Sequence, residues 1–144
     1  MKKEEIEIMH QFNAYCLDSH EYLKMYPRSY SRFDAYNSEI IVEIKNRAKI
    51  YDGRLLIEFD KFSYNLKFSK IHNKKFLYVN RVDSNLFVFD INYLDYINYN
   101  FNWQWKALPK TTEFGNTELV DKYIGYVSIR DSDTIEMIEH LCPN

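Results

Sequence analysis

The sequence predicts an α/β protein, and three observations predict it. Two segments, Lys3 to Met25 and Arg54 to Lys70, carry apolar residues at helical spacing. Between and after them lie runs rich in β-branched and aromatic residues, Tyr30 to Arg47 and Lys75 to Asp90. No Pro/Gly/Ser-rich stretch divides the 144 residues, so residues 1 to 144 read as one domain.

The first helix buries a stripe of Ile8, Phe12, Tyr15, Cys16, Tyr22 and Leu23, and Pro27 follows its end. Its opposite stripe is polar and includes Glu4, Glu7 and Glu21. Only Tyr26 to Ser31 remains for a strand before the next run. Arg28, Tyr30 and Arg32 alternate there and can touch a phosphate backbone or simply form a rim.

Ile40 to Lys45 alternates as a strand, with Ile40, Val42 and Ile44 on one face and Ile41, Glu43, Lys45 and Arg47 on the other. Asn37-Ser38 reads as a two-residue hairpin loop, which sets Tyr36 opposite Glu39 and Asp34 opposite Ile41. Opposed residues share a face, so Asp34 joins Glu43 and Lys45.

Ala48 to Gly53 is a connection into the second helix, Arg54 to Lys70, which buries Leu55, Phe59, Phe62 and Leu66. Glu58 and Lys61 lie three residues apart on another stripe, at the spacing of a surface ion pair. Lys75 to Val82 and Leu86 to Asp90 form a hairpin through Asp83-Ser84-Asn85. Tyr93 to Tyr99 offers one helical turn at most. A strand over Phe101 to Ala107, with Trp103 and Trp105 on one face, is closed by Pro109. Lys110, Thr111 and Thr112 then sit in a hydroxyl-rich loop able to donate to phosphate. Tyr123 to Ile129 is a last strand, and Ser132 or Asp133 is placed to cap a closing helix through Leu141.

The chemistry concentrates at Asp34, Glu43 and Lys45. Two carboxylates at diagonal positions of a hairpin can share a divalent cation, and Mg²⁺ suits one or two carboxylates together with waters and phosphate oxygens. Such an ion lowers the pKa of an attacking water, while a lysine beside it positions or deprotonates that water or steadies the transition state. A one-residue slip would carry Asp34 to the other face. An ordinary explanation competes, because charges on the outer face of a hairpin are commonly just solvated.

Asp34 followed by Glu43-Ile44-Lys45 resembles the active-site signature of the PD-(D/E)XK nuclease superfamily, with Phe33 where the signature's name has proline. The succession of a helix, strands, a helix and the run KKFLYVNRV resembles that family's core order over Glu4 to Val82. Within the superfamily, Glu43 to Phe59 is most similar to resolvase-like and small phage-type nucleases. The resemblance implies a restriction-endonuclease-like three-layer core, a mixed central sheet flanked by helices. It also implies a Mg²⁺ or Mn²⁺ cofactor, DNA as substrate, a recombination or restriction role and a possible homodimer. Asp34 and Glu43 would then hold the metal and Lys45 assist the chemistry. Glu7 is the first-helix acid it nominates as a further metal ligand, with plain helix surface as the alternative. Arg47, Lys61 and Arg32 would contact phosphates, and Lys61 or Glu58 is the polar residue the second helix would offer. The competing function is a non-catalytic phage or bacterial binding protein reusing the same fold, which the abundance of Tyr and Trp would suit as interface anchors.

Composition narrows the rest. Thirteen Tyr and ten Phe argue against disorder, and a formal net charge of −2 gives no global attraction to nucleic acid. Arg28, Arg32, Lys45, Arg47, Lys49 and Arg54 nevertheless crowd one region. The two cysteines, Cys16 and Cys142, and the four histidines have neither zinc-ligand nor disulfide-framework spacing. The sequence holds no phosphate-binding Gly-rich loop, no Gly-x-Ser-x-Gly elbow and no internal repeat. Acidic residues near the N-terminus stand where a signal peptide would be apolar, and no apolar run reaches membrane-spanning length, so a cytoplasmic location is expected, without a membrane partner.

Overall fold

A computed structural model describes residues 2–17, 21–26, 32–110 and 118–134 of the chain. The first helix, α1 (Lys3–Cys16), is shorter than its apolar stripe suggests. The chain is extended at Leu17, and the buried side chain of Asn13 keeps Leu23 from continuing the helix. Its Oδ1 accepts from the Leu23 N–H at 2.8 Å and its Nδ2 donates to the Leu23 carbonyl, so an amide side chain holds Leu23 as a neighbouring strand would. The next two residues form a short strand, β1 (Lys24–Met25), where the sequence suggested continued helix.

β2 (Ala35–Tyr36) and β3 (Ile40–Arg47) make the expected hairpin, but the register differs. Ala35 pairs with Val42 and Tyr36 with Ile41, two residues from the expected alignment. Asn37 is the cause. Its Oδ1 accepts from the N–H groups of Glu39 and Ile40, and its Nδ2 donates to the Glu21 carbonyl at 2.6 Å, which fixes a three-residue connection. A shift of two preserves the odd-even facing of every side chain.

Arg54 to Glu58 is a strand, β4 (Arg54–Glu58), and the second helix begins only after it, as α2 (Phe59–Ile71). Leu55 and Ile57 are buried in alternation, the period of a strand. Asp52 and Gly53 both have positive φ, and Tyr51 and Arg54 exchange backbone hydrogen bonds across them. That is a tight Asp-Gly turn feeding β4. Leu55 happens to stand four residues before Phe59, which imitates a helical stripe.

β5 (Lys75–Val82), β6 (Asn85–Asp90), α3 (Ile91–Tyr96), β7 (Gln104–Pro109), β8 (Leu119–Ser128) and β9 (Asp133–Thr134) complete the order. The strand expected over Phe101 to Ala107 is β7, which begins only at Gln104, so Trp103 precedes it, and Pro109 is its last residue. Six strands form one mixed sheet in the order β1-β2-β3-β5-β6-β9, with β3 and β5 parallel. The other three form a second antiparallel sheet, β4-β8-β7, which the sequence did not suggest. α1 covers one face of the large sheet through Ile8, Met9 and Phe12 on Val42, Ile44 and Val79. On the other face, Phe62 and Leu66 of α2 and Leu55 and Ile57 of β4 pack with Ile41, Phe76 and Tyr78. Gly125 of β8 is required where the segment before β7 crosses the second sheet, since a Cβ there would lie 2.7 Å from the Trp103 ring and 2.8 Å from the Phe101 carbonyl oxygen.

The molecule is thus mixed α/β, with two sheets and three α-helices among the described residues. Asp133 belongs to a strand paired with β6, so it does not begin a helix. The rest of the expected closing helix, together with Arg28, Tyr30, Thr111 and Thr112, lies outside the described residues. No described helix is long and apolar enough to cross a membrane.

Candidate active site

β2 is only two residues long, so among the described residues no strand pairs with the same edge of β3 beyond its start. Asp34 closes that edge. Its N–H donates to the Val42 carbonyl at 2.8 Å, its own carbonyl accepts from the Tyr26 N–H at 2.9 Å, and its carboxylate Oδ2 accepts from the Ile44 N–H at 2.7 Å. The side chain supplies the acceptor that a longer β2 would have supplied from its backbone. Burial pushes the Asp34 carboxyl up from its usual 3.8 to about 6; the Ile44 hydrogen bond opposes this, while the charges of Glu43 and Glu5 add to it.

Glu43 is buried at 2 % exposure, on the face of β3 that meets α2. Lys61 of α2 places its Nζ 3.0 Å from Glu43 Oε1, and Lys45 places its own 3.6 Å from the same oxygen. These are ion pairs by distance, yet Oε1 has no well-directed hydrogen bond. The two lysines differ. Burial holds the Lys45 amine below the ordinary lysine value, with Lys61 and Arg47 pushing the same way and Glu43 against. For Lys61 burial also opposes the charge, but Glu43 and Glu58 outweigh it and the ammonium is held above its ordinary value. One lysine is made easier to deprotonate beside another that is locked in the charged state.

The structure thus brings together Asp34, Glu43, Lys45 and Lys61. Glu7 is directed elsewhere, to an ion pair with Arg81 of β5 at 3.7 Å. The acid of α1 that Asp34 feels is Glu5, which also accepts from the Lys2 N–H at 3.1 Å. Glu5 lies one turn before the buried Ile8 and Met9, so the core stripe itself pointed to it. Glu5, Lys45 and Arg47 line a cleft of about 210 Å³ at this edge. Glu58 pairs with Lys122 of β8 at 2.9 Å; burial alone would raise its carboxyl, but the Lys122 hydrogen bond and charge bring it below the usual range.

Arg47 is committed to internal bonds, donating to the Leu56 carbonyl, the Tyr78 hydroxyl and Asn80 Oδ1 at 3.0, 2.8 and 3.3 Å. It braces the two sheets against each other and contributes charge from a fixed position. Arg32 lies over the Tyr64 ring at 5.1 Å, on α2 and away from these contacts. Among the described residues no three His, Cys, Asp or Glu side chains gather into a ready cage for a metal ion. Neither a protein-family model nor a curated protein matches this sequence.

Proposed function

We propose that the chain is a metal-dependent endonuclease that hydrolyses DNA phosphodiester bonds on a restriction-endonuclease-like core. One observation carries this reading: Asp34, Glu43 and Lys45 converge at the edge of β3 that Asp34 closes, with Lys61 of α2 joining them. The order of α1, the β1-β2-β3 meander, α2 and the parallel β5 supports it, with β4 of the second sheet inserted between β3 and α2, as does the resemblance of Asp34 and Glu43-Ile44-Lys45 to the PD-(D/E)XK signature. The donor set suits Mg²⁺ or Mn²⁺, which needs only one or two carboxylates when waters and phosphate oxygens complete its shell. Two features are compatible with such an ion: Asp34 feels two other carboxylates, and Glu43 Oε1, though 3.0 Å from Lys61 Nζ, accepts no well-directed hydrogen bond.

Asp34 and Glu43 would hold the ion, which when bound would acidify a water and offset phosphate charge. The remaining work belongs to the chain. Lys45, with its charge disfavoured, is suited to take the proton of the attacking water. Lys61, kept charged by Glu43, is suited to face the negative charge that develops on the phosphate. Arg47 adds a fixed positive field without moving.

A second reading, a non-catalytic binding protein on the same fold, draws on one observation: Lys61 already neutralises Glu43 at 3.0 Å. Metal titration separates the two. The nuclease reading predicts that Mg²⁺ or Mn²⁺ at about a hundred times its dissociation constant raises the wild-type melting temperature by several degrees, a gain of about 2.7 kcal/mol. Asp34→Asn should not respond. An unchanged wild-type melting temperature at tens of millimolar of either ion would favour the binding protein.

A further inference from the structure

The second sheet carries a feature that the catalytic reading does not use. On its outer face, strand alternation aligns Arg54, Leu56 and Glu58 of β4 with Lys122 and Tyr126 of β8 and with Lys106 and Leu108 of β7. Together with the end of β3 and the Asp-Gly turn, this face lines a cleft of about 460 Å³. Its floor is apolar. Five cationic residues, Arg47, Lys49, Arg54, Lys106 and Lys122, stand around it against one carboxylate, Glu58, which Lys122 already pairs.

That arrangement has a cost in the free protein. Lys106 and Lys122 are directly opposed across β7 and β8, a like-charge pair that destabilises a sheet. Arg54 and Lys106 both lie toward the Tyr126 ring, at 4.2 and 6.0 Å, and Arg54 Nε is buried without a hydrogen-bond partner. An anion in the cleft would relieve the repulsion between Lys106 and Lys122. The tight turn sets the Tyr51 backbone at the rim, and its ring, at 61 % exposure with Lys49 4.8 Å from it, is open to stacking by a flat aromatic group. The volume is on the scale of a small-molecule pocket, about 300–1,000 Å³, which admits a nucleotide. Arg47 lines both this cleft and the one beside Lys45, so the two adjoin at that side chain.

We infer that the outer face of the β4-β8-β7 sheet binds an unpaired strand of nucleic acid, its phosphates along Lys49, Lys106 and Lys122 and a base stacked on Tyr51. A phosphate leaving this cleft past Arg47 arrives at Lys45. The inference deepens the nuclease reading and rests on it for the strand's destination, because it makes the preferred substrate single-stranded, flapped or branched. Alternating cations and an aromatic platform are the means by which single strands are held without regard to sequence.

The test is fluorescence anisotropy with a labelled oligothymidylate in EDTA, where no cleavage occurs, beside a duplex of equal length and a cleavage assay with Mg²⁺. Wild type should bind the single strand at least tenfold more tightly than the duplex. Lys49→Glu/Lys106→Glu should weaken that binding at least tenfold and reduce its log-log salt slope by about 1.4, at about 0.7 per lost phosphate contact. Tyr51→Ala should weaken it about tenfold while Tyr51→Phe retains it, since stacking needs the ring and not the hydroxyl. Melting curves matched to wild type verify that each variant is folded. Folded variants that bind like wild type, or a duplex bound as tightly as the single strand, overturn the cleft even if cleavage persists. Variant-sensitive binding with no cleavage of any substrate supports the cleft and removes the nuclease.

Discussion

At the residue scale, Asp34 is where stability is given up. A carboxyl whose folded pKa stands at about 6 against 3.8 is destabilising when ionised, so its contribution is most favourable below pH 4 and is lost as pH rises through 6. Asp34→Asn keeps an acceptor for the Ile44 N–H and removes the charge. It should therefore melt above wild type at pH 8, with the gap closing toward pH 4, while cleavage is lost. Thermal melts across that range check this, and a gap independent of pH would mean that Asp34 is not the titrating group. The shared face of Glu43 and Lys45 was legible in the sequence because it depends only on odd-even position in β3, whereas Asp34 lies just before β2 and reaches the Ile44 N–H at the strand edge. Glu5 was harder to choose over Glu7, since both sit in the first turns of α1 and only their relation to the buried Ile8 and Met9 separates them. The commitment of Arg47 to Leu56 and Tyr78 was invisible, because it joins elements that are distant in the chain.

At the scale of elements, two asparagines decide what periodicity alone misreads. Asn13 ends the reach of α1 by bonding Leu23, although Tyr22 and Leu23 continue its apolar spacing. Asn37 holds the β2-β3 connection through three hydrogen bonds, two accepted and one donated. Asn37→Ala removes three hydrogen bonds to partly buried backbone groups and should cost about 1 kcal/mol or more, read by denaturant unfolding. A loss within experimental error would assign the register to the strands and not to the turn. The β4 misreading has a similar origin. Leu55, Phe59 and Phe62 share helical spacing, while the strand period of Leu55 and Ile57 is meaningful only once β8 lies beside them. β3, β5 and β6 were legible because long apolar runs bounded by turn residues have few alternatives.

At the scale of the molecule, a chain with net charge −2 gathers cations on one flank and joins two sheets through an aromatic core. Gly125 of β8 is where the Phe101–Trp103 segment approaches the second sheet most tightly. Gly125→Ala drives a methyl into the Trp103 ring and the Phe101 carbonyl, so it should destabilise by about 1–3 kcal/mol and loosen the second sheet. Hydrogen exchange should then show protection falling first in β7 and β8. The decisive experiment for the proposed site is cleavage of plasmid, single-stranded and four-way-junction DNA with Mg²⁺ or Mn²⁺, with Lys45→Ala beside wild type. Wild type should cut, best on the substrates with unpaired strands, and folded Lys45→Ala should not. Cutting that survives in Lys45→Ala would contradict the site, and a wild type that cuts no substrate would contradict the function.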